Sequence, residues 1–182
     1  MARKNLQDAE TARWLKMGTG GVLLRRLRAK VSDVPTNFTW IHRGKLAASG
    51  NPSSRGQIRW LAQHGVSSVL TLTESPLPAE WFDGMNIRLR HLPMKDHELP
   101  TVGVLDEAAT YIDEEVKSGR TILVHCLAGK GRTGSALAAY LMKTKGISSK
   151  EAIELLRKLR PGSVEGRQEY PLREYEKSLK GL

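Results

Sequence analysis

One cysteine in 182 residues excludes an internal disulfide and fits a reducing compartment. That cysteine, Cys126, also has no second thiol within the chain to resolve it. Aromatic residues are sparse at 5%, so no stacking surface for single-stranded nucleic acid is visible. No apolar run approaches the length needed to span a bilayer, and no secretory signal pattern is present, so a cytoplasmic protein is expected. His42, His64 and His91 fall on separate segments without metal-like spacing, and neither a metal nor another cofactor is expected. Internal repeats and low-complexity tracts are also lacking. Acidic residues are few: 19 against 29 Lys and Arg, a net charge of +10. Such an excess favours an acidic partner, whether phosphorylated protein, anionic lipid or nucleic acid.

The length suits one domain. Residues 1–33 stand apart as a basic N-terminal helical extension, with eight Lys or Arg against Asp8 and Glu10 before Asp33. Gly18, Gly20 and Gly21 divide it into two short helices. In the second, Leu23, Leu24, Leu27 and Val31 recur at helical spacing between arginines. Two readings stand: a helix packed on the domain with a solvated basic face, or an anchor for an anionic membrane surface or acidic partner. Residues 34–182 form the domain proper.

What is present centres on T-I-L-V-H-C-L-A-G-K-G-R-T-G, residues 121–134. Ile122 to Val124 reads as a buried parallel strand, and S-A-L-A-A-Y-L-M beyond the loop reads as a helix. Strand, glycine loop and helix aim several backbone N–H groups and a helix N-terminus at one spot, which suits an anion. Cys126 sits at the mouth of that loop. The N–H nest, the helix end and Arg132 all favour its thiolate. The same donors, on Leu127, Ala128, Gly129, Lys130, Gly131 and Arg132, would hold phosphate oxygens, with the guanidinium giving two parallel bonds. A nucleophile directly below a phosphoryl group can attack phosphorus. Thr133 can donate its hydroxyl to the sulfur. Gly129, Gly131 and Gly134 let the loop curl close to its neighbours.

Along the chain, T-N-F-T-W-I-H and K-L-A-A-S form a hairpin around Arg43-Gly44. Ser53 or Ser54 caps a helix through Gln63. Ser67 to Leu72 is a central strand, and a short helix follows around Ala79 to Phe82. Ile87 to Leu92 alternates, predicting a strand with one apolar and one wet basic face. A loop between Pro93 and Pro100 precedes a helix capped by Thr101 and running to about Lys117, with Leu105, Ala108, Ala109, Ile112 and Val116 buried. After the signature helix, Ser148 or Ser149 caps another, stopped by Pro161-Gly162. A last amphipathic helix starts near Pro171. Alternating strands and helices predict an α/β fold: a central, mostly parallel sheet with helices on both faces.

H-C-L-A-G-K-G-R-T-G resembles the signature H-C-x5-R-[ST] of the cysteine-based protein phosphatases. P-T-N-F-T-W-I, L-T-E-S-P and L-R-K-L-R-P-G-S-V-E extend the resemblance over about residues 35–180, toward the small atypical dual-specificity phosphatases and their archaeal relatives. The resemblance implies a protein tyrosine phosphatase-like fold and hydrolysis of phosphotyrosine, phosphoserine and phosphothreonine esters through a cysteinyl-phosphate.

Such a reaction needs an acid for the leaving group. The 93–100 loop offers Asp96 and Glu98, and the resemblance selects Asp96, an Asp shortly before a proline. His97 is read as a loop histidine beside the pocket. Residues 160–169 resemble the segment where relatives carry a glutamine facing the loop, which makes Gln168 the candidate for placing the second-step water; Glu169 stands where some relatives have another. Ser163 is read as a turn residue. His125 points away from the sulfur, because neighbouring residues on a strand face opposite ways, and is expected to bond the loop backbone.

Three alternatives remain open. A phosphoinositide phosphatase would use two loop lysines, of which Lys130 matches one while Leu127 replaces the other. An RNA 5′-triphosphatase is possible on this fold, although nucleic acid is not favoured. A phosphate-binding module without turnover would keep the loop alone.

Overall fold

The computed structural model describes residues 33–181. The expected helices within 1–33 therefore lie outside the described residues, apart from Asp33. Five strands form one sheet: β1 (Thr39–His42), β2 (Leu46–Ser49), β3 (Ser68–Thr71), β4 (Arg88–His91) and β5 (Ile122–His125). Their order is β1-β2-β5-β3-β4, with β1 antiparallel and the other pairs parallel.

The short strands suit their places. Ile122, Leu123 and Val124 are fully buried, as expected of a central strand covered on both faces. Leu46, Ala48, Leu70, Ile122 and Val124 face one core, and Ala47, Val69 and Leu123 face the other. The first core is closed by α2 (Val102–Lys117), α3 (Gly131–Lys145), α4 (Ser149–Leu159) and α5 (Glu169–Leu179). The second is closed by α1 (Arg55–Gln63), the 3-10 turn Ala79–Phe82 and an aromatic group of Phe38, Trp40, Trp60 and Trp81. Truncating a fully buried leucine such as Leu123 to alanine costs about 2–5 kcal/mol.

Helix starts follow the capping rules. Ser54 accepts from Gln57 N–H, Thr101 from Val104 N–H, and Ser148 forms a reciprocal box with Glu151. α5 begins at Glu169, two residues before the expected start, because Pro171 is tolerated in a first turn that needs no N–H partner.

β4 departs from its expected pattern. Leu89 is 46% exposed, and the arginines lean on α2, Arg88 bonding Glu115 and Arg90 bonding Glu107. An edge strand lacks a neighbour to cover its apolar side, while the helix offers carboxylates to its basic one. Glu115 is itself buried. Burial pushes its carboxyl up, but bonds from Arg120, Ser68 and Arg88 outweigh this and hold it below the usual range.

The register sets up the site. Ser49, His125, Thr71 and His91 lie side by side at the carboxyl ends of the four parallel strands. The loops that follow those strands therefore converge on one edge, where open α/β sheets bind ligands.

Candidate active site

Cys126 follows β5 at that edge and is 3% exposed. The loop behind it curls through Gly129, at φ +69, and enters α3 at Gly131. A Cβ at Gly129 would clash with Ser49 and lie 2.6 Å from Gly50 N, so only glycine fits this crossing. Gly131 lies against the Gln168 side chain and Gly134 against Val164. α3 has no side-chain cap, leaving its first N–H groups for an anion. Leu127 is 57% exposed at the rim, and its carbonyl accepts from Asn51 N–H at 3.0 Å. Ala128 is exposed and Lys130 half-buried, its side chain lying over Gly162.

Arg132, only 4% exposed, turns back across the loop toward the 93–100 segment. Its Nη1 donates to Met94 O at 2.9 Å, and its Nη2 lies 3.0 Å from Asp96 Oδ1. Asp96 thus joins the site. Glu98 does not; it pairs with Lys95 at 3.2 Å. His97 adopts φ +60, donates its N–H to Asp96 Oδ1 and places its exposed ring 3.7 Å from Oδ2.

His125 is buried behind the cysteine. Its Nε2 bonds Thr71 Oγ1 at 2.8 Å, while Nδ1, beside the Cys126 backbone, has no partner of ordinary hydrogen-bond geometry. Burial pushes the ring down to about 3, so it is neutral at physiological pH. Thr133 is also fully buried, and among the described residues its hydroxyl has no hydrogen-bond partner, so the expected bond to the sulfur is not formed in this geometry. The expected contact of His125 with the loop backbone is made at Cys126, where it partly offsets the effect of burial on the ring.

Gln168 is buried against Gly131, with Oε1 accepting from Glu165 N–H at 3.1 Å. Glu169 turns the other way, to Arg157 at 2.8 Å, so Gln168 is the one of the two that faces the loop. The 93–100 loop, through His97 to Leu99, faces Glu165, Arg167 and Gln168 across a narrow cleft. Ser163 is buried in the turn after α4, its N–H bonded to Arg160 O. A concavity of about 480 Å³ lies elsewhere, between β4 and α2, and none of this chemistry lines it.

Three contributors were not singled out from the sequence. Glu74, after β3, accepts the Asp96 N–H at 2.9 Å and approaches Arg132 Nη1 at 3.9 Å. Asn37 sends its Nδ2 to the carbonyls of Ala128 and Gly129. Arg160 reaches Gly129 O from below at 2.6 Å. Only Arg160 left a signal: with Ile153 and Leu156 it falls on the buried stripe of α4, an odd place for an arginine.

A mostly parallel sheet whose central strand feeds a Cys-x5-Arg loop into a helix, with an aspartate on the arginine, is the arrangement of the cysteine-dependent phosphatases. Residues 35–172 match the family described as PTP-SAK, Swiss Army Knife protein, DSP-PTPase phosphatase domain. The chain belongs to this family of dual-specificity and tyrosine phosphatases. Tk-PTP, in the crystal structure of a mutant form, is 31% identical, with a TM-score of 0.72 over 80% of this chain and 98% of that one. The dual specificity protein phosphatase CDC14AB of Danio rerio is 29% identical over 156 residues, 79% of this chain and 25% of the relative. Dual specificity protein phosphatase 1 of Arabidopsis thaliana is 31% identical over 121 residues, 66% of this chain. The chain thus spans a quarter of the Danio protein's length and 57% of the Arabidopsis protein's. PTPMT1 shares the fold, at 23% identity and a TM-score of 0.70.

Proposed function

We propose that this protein hydrolyses phosphotyrosine, and also phosphoserine and phosphothreonine, on phosphorylated proteins. The observation that carries the reading is the convergence of Cys126, Arg132 and Asp96 at one sheet edge, with the Asp96 carboxylate 3.0 Å from the Arg132 guanidinium. In the proposed reaction, the N–H groups of residues 127–132 and the arginine hold the phosphoryl oxygens. The Cys126 thiolate forms an S–P bond as the P–O bond to the substrate breaks. Asp96, protonated, gives its proton to the departing oxygen. A water held by Gln168 then attacks phosphorus, Asp96 takes its proton, and the sulfur leaves as thiolate. Thr133, after a rotation about its side-chain bond, would donate to that leaving sulfur. Neutral His125 keeps the strand end in register through Thr71.

A second reading, a phosphoinositide phosphatase, draws on Lys130, on the basic segment 1–33 and on a neighbour of the same fold, PTPMT1, whose crystal structure is in complex with PI(5)P. Against it, Leu127 stands exposed on the rim where a second lysine would serve a multiply charged headgroup. The basic segment suits an anionic membrane surface or an acidic partner. Cytoplasmic residence accords with the single free thiol; among the described residues no helix is long and apolar enough to cross a membrane.

The test is a substrate panel: a simple aryl phosphate, phosphotyrosyl and phosphoseryl peptides, soluble inositol phosphates and triphosphate-ended RNA. Phosphopeptides should be turned over with the highest kcat/KM. Preference for inositol phosphates or RNA would replace this reading, and no turnover of any substrate would leave a binding module.

A further inference from the structure

Arg160 is a buried cation that, among the described residues, pairs with no carboxylate. It is 3% exposed at the C-terminal end of α4. Its Nη1 donates to Asn37 O at 2.8 Å and Ala48 O at 3.1 Å, its Nη2 donates to Gly129 O at 2.6 Å, and Nε is buried without a partner. Among the described residues, its hydrogen-bond acceptors are all backbone carbonyls. A guanidinium withdrawn from water is costly unless an anion or several aligned dipoles compensate. The three carbonyls supply those dipoles; burial still pushes Arg160 down to about 10, with Cys126 acting in the opposite sense, so the guanidinium stays charged at neutral pH.

The bonds also orient the loop. The peptides here are trans, so a carbonyl and the N–H that follows it point opposite ways. Arg160 draws the Gly129 carbonyl toward itself, and Asn37 draws the Ala128 carbonyl at 3.1 Å. The N–H groups of Lys130 and Gly129 are thereby turned away from these residues. Arg160 also ties the loop to β2 through Ala48 and to the Asn37 turn, so three segments distant in sequence meet on one side chain.

We infer that Arg160 is a positioning residue of this site: by holding the Gly129, Ala48 and Asn37 carbonyls together it fixes the Gly129 turn so that the loop N–H groups face phosphate. This rests on the reading of Cys126 as nucleophile.

The test uses the full chain with Arg160→Gln, which loses the charge, and Arg160→Lys, which keeps it but loses the forked donor. Three readouts apply: the rate of Cys126 alkylation by iodoacetamide at pH 6.5, kcat and KM on an aryl phosphate, and inhibition by inorganic phosphate, with thermal unfolding to certify the fold. In Arg160→Gln, which cannot serve three carbonyls, kcat should fall and phosphate inhibition should weaken, each about ten-fold. Arg160→Lys should also weaken phosphate inhibition by about five-fold or more, since one compact ammonium cannot span carbonyls held by two separate guanidinium nitrogens. Folded Arg160→Gln with wild-type phosphate inhibition and kcat/KM overturns the inference. If the glutamine variant does not fold, the lysine variant decides: weakened phosphate inhibition supports the inference, while unchanged inhibition overturns it. Wild-type Cys126 alkylating no faster than a free thiol, or turnover by Cys126→Ser, would instead remove the nucleophile reading beneath it.

Discussion

Asp96 Oδ1 lies 3.0 Å from Arg132 Nη2, so the residue assigned as acid and the residue assigned as phosphate anchor hold one another. A phosphate dianion taking both prongs of Arg132 must compete with that carboxylate. On the proposed roles, substrate binding and acid positioning are therefore coupled.

Removing the carboxylate should separate the two effects. Asp96→Ala should lower kcat on phosphopeptides by roughly 10²-fold or more, the usual weight of a positioned acid, while tightening oxyanion inhibition because Arg132 is freed. The kcat loss should shrink with leaving groups that need no proton. Steady-state kinetics over a leaving-group series checks this; a larger, leaving-group-dependent loss in Glu98→Gln would transfer the role to Glu98.

Glu74 accepts the Asp96 N–H at 2.9 Å and so helps fix the acid loop. One such bond is worth about 0.5–1.5 kcal/mol. Glu74→Ala should therefore lower kcat by about two- to ten-fold, more for poor leaving groups than for good ones, and Glu74→Gln, which keeps an acceptor, should recover most of it. Equal losses for all leaving groups would detach Glu74 from the acid.

Arg132→Lys keeps a charge but not the planar fork. KM should rise and kcat should fall, together by roughly 10²-fold or more in kcat/KM. Kinetics close to wild type in the lysine variant would mean that charge alone suffices.

His125 gives a pH-dependent stability. Its folded value, near 3, lies below the ordinary 6.5 because the ring is buried, with His91 adding a smaller push. Between these values the unfolded chain binds the extra proton, so stability falls as pH falls. At full extent this is about 5 kcal/mol, at 1.36 kcal/mol per pH unit. Glu176 and Glu115, held below the carboxylate range, weaken the fold only on acidification below their unfolded value near 4.5. Urea unfolding between pH 6.5 and 5 should therefore isolate the histidine, and His125→Asn should flatten the slope there. An unchanged slope in that variant would assign it to another group.

Much of this was legible because local chemistry agreed with the tertiary outcome. β5, the glycine loop and α3 follow one another without a break, so hydropathy and turn residues alone marked out the site. The loop at 93–100 is legible because it is short and proline-bounded, but both Asp96 and Glu98 lie on it, and only the family resemblance selects Asp96. Glu74, Asn37 and Arg160 were not read as site residues, because each joins the site through backbone atoms of segments distant in sequence: Asn37 to Ala128, Arg160 to Gly129, Glu74 to Asp96. Hydrogen bonds to main chain leave no pattern of side-chain types, and only Arg160, in line with the buried stripe of α4, leaves a trace. β4 differs from its expected pattern for a related reason, since alternation marks two faces but not that the strand itself lies at the edge of the sheet.

The central claim is that Cys126 attacks phosphorus, and the most direct measurement traps the product of that attack. Wild-type protein mixed rapidly with a ³²P-labelled phosphopeptide, quenched by denaturation and digested, should carry label on the peptide containing Cys126. Cys126→Ser should carry none and should retain less than a few per cent of turnover, since a hydroxyl is far less ionised than a thiol. Label on another residue, or substantial turnover in Cys126→Ser, would contradict the account.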